Sequence, residues 1–474
     1  MKKFNLLIAA LFAIVVESYC GVHDVSGMVT STPLRVENPT ALDFMQRSYS
    51  NFVAGEPSFL DDPTFRNLRS TALGNGYRND QPQTYVLKFP QGTAGNVHVV
   101  LSRHCDLSQP ELDEEVYVNA EDAKYELRNF VPGNTYFYKV TAGSTTLASG
   151  AIVVSGQLRM IHLNSGWNIR DLGGWKGWGG NTVRYEQIYR GGSLGGQNRN
   201  KNTYLLPKDD LAELHRIGIR AQLDLRAQPS KGAWPTDDKL NAYTLGYSTL
   251  AEATFLNNAT DYALYHAQGS SAAVGDVAWV IRQLHEGRPV YFHCRTGADR
   301  TGVVGYSLLG LLGCDAYTTL AGGNQLALDY ELTSLGMDEE GTIEYNTTGQ
   351  HSGSYSNRYA NQISTGGYDF YRVLRSMKAP EEVGELHGFM ERCYYYFNRY
   401  FRDNNVSEAG RVYINKSDLD WYINFMLGIT DRDGNLLPGH DKKFEGPSWA
   451  VDDVLNSLEQ AYVTAEERQY MYAK

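Results

Sequence analysis

One short segment combines a cysteine and an arginine at a spacing suited to covalent chemistry on phosphate. It runs from His293 to Gly302 and reads HCRTGADRTG. Five residues separate Cys294 from Arg300, and Gly297 between them permits a tight bend, so successive backbone N–H groups can converge on one point. Such a nest of N–H groups fits a phosphate. We therefore call residues 294–300 the phosphate loop and predict Cys294 as its nucleophile.

The side chains of this loop have distinct predicted roles. The amino terminus of a following helix favours the thiolate of Cys294, which is the attacking form. The planar guanidinium of Arg300 can bind two phosphoryl oxygens, and Thr301 can stabilise the thiolate as it leaves. We predict His293 as a supporting residue and expect no metal or other cofactor. The predicted phosphate-binding residues are Arg295, Thr296, Gly297, Ala298, Asp299 and Arg300.

The neighbouring sequence predicts a strand before the loop and a helix after it. An apolar helical face is predicted between an N-cap at Asp276 and a C-cap at Gly287, and Pro289 opens a strand. A buried helix is predicted from Thr301 to Leu312. Further upstream, Gly218 ends a short helix that precedes a strand. The fold class is therefore α/β, with the loop where open α/β sheets hold their active sites.

The phosphate loop resembles the H-C-x5-R signature of the protein tyrosine phosphatase superfamily. Further segments resemble blocks of an atypical secreted bacterial tyrosine phosphatase family, over roughly residues 157–430. They are NIRDLGG at 168–174, YRGGSL at 189–194, LDLR at 223–226, and the pair Asp329 and Tyr330. This resemblance implies a tyrosine phosphatase-like central sheet flanked by helices, with Arg170 and Arg226 as supporting residues. It also implies that the protein hydrolyses phosphomonoesters through a phosphocysteine intermediate. The implied substrate is protein phosphotyrosine, with dual specificity as an extension.

A general acid must protonate the leaving oxygen, and the sequence leaves its identity open. The resemblance favours Asp171 and Asp299 about equally. Asp237, in the segment WPTD, is a weaker third candidate. Asp171 also has a structural interpretation, either as an Asx turn or as an ion pair with Arg170.

The sequence is also compatible with other functions. Ala298 stands where the family often has a lysine that contacts extra phosphates, which argues against polyphosphorylated lipids. Arg295 beside the nucleophile keeps inositol phosphates and phosphoinositides as a second substrate class. A surface module that binds phosphorylated or glycan ligands without hydrolysis is an alternative of another kind, as is a rhodanese-like sulfur transferase. The segment 346–367, rich in Ser, Gly, Asn and Tyr, predicts a long loop near the entrance.

The residues before the phosphatase-like region predict a separate β-rich domain. Short alternating strands are expected at 85–89, 98–101 and 135–140. The residues around Pro132, Gly133 and Tyr136 resemble the corner of fibronectin type III domains. A chain of 474 residues exceeds the roughly 250–300 residues of a single core. We predict a signal at 1–20, a fibronectin type III-like β-sandwich with an irregular lead at 21–155, a cysteine phosphatase domain at 156–430 and an extension at 431–474.

The net charge of the chain and its N-terminal residues predict its partners and its location. The net charge of −11 disfavours broad binding to nucleic acid. Lys2 and Lys3 precede an apolar run, at 6–16, that is too short to span a bilayer and predicts export. Cys20 follows at the position of a lipidation site, which leaves either a membrane tether or simple cleavage. The protein is expected to be periplasmic, secreted or lipid-anchored at the cell surface.

The remaining cysteines and one acidic segment have predicted structural roles. Cys105, Cys314 and Cys393 have no paired spacing and are expected to be buried thiols rather than parts of a disulfide framework. The segment from Asp431 to Asn435 resembles the start of a calcium loop but lacks its closing glutamate, so a plain turn is expected.

Overall fold

The structure is a computed structural model, and its described residues form two compact units. These residues are 32–46, 81–164, 166, 168–192, 194, 208–225, 254–257, 272–294, 297, 299–316, 325–335, 373–374, 376–403 and 413–452. The first unit takes in the chain up to Asn38 and from Pro82 to Met160. The second takes in Pro39–Gln81 and the chain from Ile161 onward.

The described residues of the first unit form strands around one core. The strands are β1 (Leu34–Arg35), β2 (Tyr85–Lys88), β3 (Gly95–Ser102), β4 (Leu112–Val118), β5 (Lys124–Leu127), β6 (Thr135–Ala142) and β7 (Thr145–Ser155). Five strands form a sheet in the order β1-β7-β6-β3-β4, and β2 pairs with β5. Only the β1–β7 pair among these is parallel. Alternate residues such as Val97 and Val99 enter the core, because successive side chains of a strand point to opposite faces.

Tyr136 fixes the turn that leads into β6. Its buried Oη accepts a hydrogen bond from the backbone N–H of Val131 at 3.0 Å, and its ring meets Phe130 edge-on, with centroids 5.0 Å apart. Burial raises the pKa of the Tyr136 phenol. A tyrosine that bonds back to the chain a few residues upstream is the corner found in immunoglobulin-type sandwiches.

The expectation of a buried thiol is wrong for Cys105. This residue is disulfide-bonded. Its side chain is only half-buried, because it lies in a turn after β3 and not on the core face of a strand. Cys314 and Cys393 are buried free thiols, as predicted. Burial raises the pKa of both well above the ordinary value for a thiol.

The second unit is a mixed α/β structure around a five-stranded sheet. Its strands are β8 (Arg170–Asp171), β9 (Ile188–Gly191), β10 (Ala221–Asp224), β11 (Thr254–Asn257) and β12 (Val290–His293). Their order is β11-β10-β12-β9-β8, and β8 alone among them runs antiparallel to its neighbour. Every residue of β9, β10 and β12 is buried, as expected for parallel strands covered on both faces.

The described part of the second unit also contains helices. They are α1 (Pro39–Gln46), α2 (Lys208–Arg216), α3 (Ala272–His285), α4 (Asp299–Leu311), α5 (Gln325–Glu331), α6 (Gly388–Tyr395), α7 (Phe401–Asp403) and α8 (Lys416–Met426). A π-helical turn at Tyr396–Tyr400 joins α6 to α7. Short 3-10 turns lie at Trp178–Gly180, Cys314–Ala316 and Leu332–Leu335. Within the described chain, no helix is long and apolar enough to cross a membrane.

Several local predictions can be compared with these elements. Gly218 and Gly287 follow α2 and α3 with φ of 91° and 79°, the left-handed conformation of a helix C-cap. Asp276 is not an N-cap: α3 begins at Ala272, because its apolar face already starts at Ala273. The segment from Asp431 forms a turn in which both carboxylate oxygens accept hydrogen bonds from Asn435, at 2.8 and 3.0 Å.

Candidate active site

Cys294 lies where the central strand of the sheet ends and a helix begins. It directly follows β12, the middle strand of the five, and α4 starts at Asp299. The thiol is buried, with 2% of its surface exposed. Cys294, Gly297 and Arg300 are described in full, and Asp299 by its backbone only. Other predicted residues lie outside the described residues: Arg295, Thr296, Ala298, Arg226, Asp237, Cys20 and the segment 346–367.

His293 contacts the backbone of Cys294. Its Nδ1 lies 3.0 Å from the carbonyl oxygen of Cys294, and its Nε2 lies 2.7 Å from the Nε2 of Gln222. Because the carbonyl can only accept, we assign the imidazole proton to Nδ1, and Nε2 then accepts from the Gln222 amide. The ring is fully buried and stacks on Tyr291, with centroids 5.3 Å apart. His293 is therefore positioned to fix the carbonyl of Cys294.

Arg300 is attached to the end of the neighbouring strand. Its Nη1 donates to the carbonyl oxygen of Leu225, the residue after β10, at 3.0 Å. Leu225 in turn donates its N–H to the carbonyl of His293 at 2.8 Å. A guanidinium carries five N–H donors in one plane, so a single bond to Leu225 orients the group and leaves donors for an anion.

Thr301 presents a buried hydroxyl at the start of α4. The residue is fully buried, and its Oγ1 has no hydrogen-bond partner among the residues that the structure describes. A buried hydroxyl without a partner is unusual. Its position one residue after Arg300 fits a donor that serves the reacting centre.

Gly297 is the one position of the described loop where a side chain cannot fit. Its φ is 72°, and a Cβ built there would lie 2.4 Å from the carbonyl carbon and oxygen of Gly191 in β9. The carbonyl of Gly297 accepts two hydrogen bonds, from Arg190 Nη2 at 2.9 Å and from Asn168 Nδ2 at 3.2 Å. The loop thus packs directly on the end of β9.

A buried ion network continues from this contact. Asp329 accepts from Arg190 Nη1 at 2.6 Å and from Arg170 Nε at 2.9 Å, and Arg170 also donates to Asn168 Oδ1 at 2.6 Å. Burial by itself would raise the pKa of Asp329, but the two guanidiniums outweigh it and the pKa lies below its ordinary value. Burial and the neighbouring Arg170 lower the pKa of Arg190 to about 10. Arg190 therefore remains charged at neutral pH.

The sequence alone did not assign Arg190, Asn168 or Asp329 to the site. All three lie in segments that carry the family resemblance, and these motifs are the sequence feature that could have assigned them to the site. Their contacts join residues up to 159 positions apart, which no local pattern reveals.

The carboxylate of Asp171 is engaged by the backbone. Its Oδ1 accepts from the N–H of Gly173 at 2.8 Å, and its Oδ2 from the N–H of Glu186 at 2.7 Å. The side chain is fully buried. These contacts include the Asx turn of the structural interpretation, whereas Arg170 pairs with Asp329 and not with Asp171.

Comparison with known proteins agrees with the geometry. The family described as "Tyrosine phosphatase family" matches residues 161–414. The chain is also similar to a protein of Cupriavidus necator that is provisionally named a tyrosine-protein phosphatase, with 28% identity over 189 residues. That alignment covers 35% of this chain and 64% of the relative, which is less than two thirds of its length. Because the family match spans more than half of the sequence and includes Cys294 and Arg300, the chain belongs to the tyrosine phosphatase family.

Proposed function

We propose that the protein hydrolyses phosphomonoesters through a phosphocysteine formed on Cys294. The observation that supports this most is the position of that thiol, at the end of the central strand and before the amino terminus of α4. The amino terminus of a helix favours an anion, both as thiolate and as phosphate. Gly297 and Arg300 are both held by hydrogen bonds at the same end of the sheet.

The proposed reaction has two displacements. The Cys294 sulfur attacks phosphorus in line, the S–P bond forms and the bond to the leaving oxygen breaks, while an aspartic acid protonates that oxygen. Water, deprotonated by the same aspartate, then attacks phosphorus and returns the thiolate and inorganic phosphate. Arg300 binds two phosphoryl oxygens in both transition states. Thr301 donates its hydroxyl to the sulfur as it becomes an anion.

Between the two candidate acids, we propose Asp299. Both oxygens of Asp171 already accept backbone hydrogen bonds in a fully buried site, so its proton transfer would disrupt a turn. Asp299 is the first residue of α4 and belongs to the phosphate loop. We expect Asp299→Asn to lower kcat by about 100-fold, within the usual range of a general acid, for phenyl phosphate but much less for p-nitrophenyl phosphate, whose leaving group needs little protonation. Asp171→Asn should lower stability instead.

Protein phosphotyrosine is the proposed substrate class, supported by the family assignment and by Ala298 in the loop. Inositol phosphates and phosphoinositides are the alternative. Comparative rates on phosphotyrosine peptides and inositol phosphates distinguish these two classes.

We further propose that the first unit is a fibronectin type III-like sandwich that acts as a spacer or docking surface. The bond between Tyr136 and Val131 supports this. We also propose export, on the basis of Lys2, Lys3 and the following apolar run. Fractionation of cells tests this location.

The decisive experiment compares the wild type with Cys294→Ser on an aryl phosphate in the presence of a chelator. We expect the variant to lose activity by several orders of magnitude with an unchanged melting temperature. Full activity in the variant would refute the cysteine mechanism. Tight binding of phosphopeptide by the wild type without release of phosphate would favour the binding-module alternative, and sulfur transfer from thiosulfate would favour a rhodanese-like enzyme.

A further inference from the structure

The network behind the phosphate loop carries more positive than negative charge. Arg170 and Arg190 face one carboxylate, that of Asp329, which leaves a formal excess of one positive charge. All three side chains are at least 98% buried, since their exposed fractions are 2%, 0% and 1%. A buried excess charge is unfavourable unless something compensates it. Through Arg190, this excess charge lies next to Gly297 of the phosphate loop.

The contact with the loop is made through one peptide unit. Arg190 and Asn168 both donate to the carbonyl of Gly297, at 2.9 and 3.2 Å. Because a peptide unit is planar, these two donors fix the orientation of the Gly297 carbonyl and hold the turn of the loop against the network.

The helix after the loop leaves room for this arrangement. A Cβ at Gly305 would lie 2.9 Å from Arg190 Nη1. A glycine within a helix lowers helix stability, so the absence of a side chain at this point of α4 is explained by the guanidinium that passes it. Arg190 thus contacts both the loop and the helix that bind the anion.

We propose that Arg190 is a positioning residue for phosphate binding. It holds the carbonyl of Gly297, and with it the turn of the loop at that residue, and it places the excess positive charge of the network behind the loop. Asp329 fixes the guanidinium in that orientation, and Asn168 holds the same carbonyl from a second direction. This inference rests on the proposed function, because it specifies how the site holds its anion.

The test replaces Arg190 by lysine, which keeps the charge but cannot bond to Asp329 and Gly297 with one planar group. We expect kcat/KM for an aryl phosphate to fall by about 10- to 100-fold, the effect of one hydrogen bond from a charged donor. In the Cys294→Ser background, the Kd for inorganic phosphate, measured by calorimetry, should rise by about tenfold or more. A residue with a merely structural role would change the melting temperature without changing phosphate affinity.

Arg159→Lys is the matched control. Arg159 is also 2% exposed and donates to a backbone carbonyl, that of Asn129, at 3.0 Å, but it belongs to the first unit. We expect it to leave kcat/KM and phosphate affinity unchanged. If Arg190→Lys and Arg159→Lys had the same effect on phosphate affinity, the proposal would be overturned.

A second variant covers the case in which Arg190→Lys does not fold. Asn168 has a φ of 56°, so Asn168→Gly keeps a permitted backbone. It removes the side-chain amide, whose Nδ2 donates to Gly297 and whose Oδ1 accepts from Arg170. We expect about a threefold to tenfold weaker affinity for phosphate, as for loss of a neutral hydrogen bond. Unchanged affinity would overturn the proposal. If the wild type hydrolysed no aryl phosphate, the proposed function would fail, whereas the comparison of phosphate affinities would still decide the role of Arg190.

Discussion

Replacing Asp329 by asparagine should destabilise the second unit in a manner that depends on pH. The carboxylate accepts from Arg170 and Arg190 at 2.9 and 2.6 Å. An amide retains one acceptor oxygen and turns its NH2 group toward a guanidinium, which leaves two buried positive charges without a counter-ion. Breaking a buried pair in this way costs about 3–5 kcal/mol. We expect the free energy of unfolding of Asp329→Asn to be lower by about that amount at pH 7.

The pH dependence follows from the lowered pKa of Asp329 in the folded state. Its stabilising contribution is fully present above the ordinary value of 3.8 and is lost as the pH falls through the folded-state pKa. The difference between wild type and variant should therefore shrink as the pH is lowered below the ordinary value. A difference that stays constant with pH would refute this explanation.

The assay can be restricted to the unit that contains the network. All seven tryptophans of the chain lie after residue 160, so urea unfolding followed by tryptophan fluorescence reports on the second unit. Glu382→Gln is a suitable control, because the exposed Glu382 pairs with Arg399 in the same second unit, and surface pairs contribute about 0–1 kcal/mol. If Asp329→Asn lowered the free energy of unfolding by less than about 1 kcal/mol, the buried pairs would contribute no more than such surface pairs, and the prediction would be wrong.

Two further substitutions test local features. Tyr136→Phe leaves the buried N–H of Val131 without its acceptor, so calorimetry should show the first unit destabilised by about 1–3 kcal/mol, with unchanged hydrolysis of aryl phosphate; an unchanged transition would contradict the role of the corner. Gly297→Ala should lower kcat/KM by about 100-fold or more, because its Cβ would lie 2.4 Å from Gly191. Gly218→Ala is the control, with a φ of 91° but open space around it, and it should lower stability without a comparable loss of activity.

The elements around Cys294 could be predicted because their signals are local. The strand that precedes the thiol, the bend at Gly297 and the buried helix after Arg300 each depend on a few consecutive residues. The structure has these elements at Val290–His293 and Asp299–Leu311. Only their ends differ from the prediction, since the helix includes Asp299 and Arg300 in its first turn.

The contacts of Arg170 could not be predicted in the same way. Its neighbour Asp171 offered the nearest opposite charge, but the two residues form β8, and successive side chains of a strand point to opposite faces. Arg170 therefore pairs with Asp329, 159 positions away, and Asp171 binds the backbone of Gly173 and Glu186.

The register of the parallel strands determines whether the loop receives these contacts. Asp224 of β10 is paired with His293 of β12, which is paired with Gly191 of β9, so the three strands end at the same level of the sheet. The residues beside these ends include Leu225, which holds Arg300, and Arg190, which holds Gly297. A shift of β9 by one residue would turn Arg190 to the opposite face of the sheet. The sheet register is therefore as necessary to the proposed chemistry as the sequence of the phosphate loop itself.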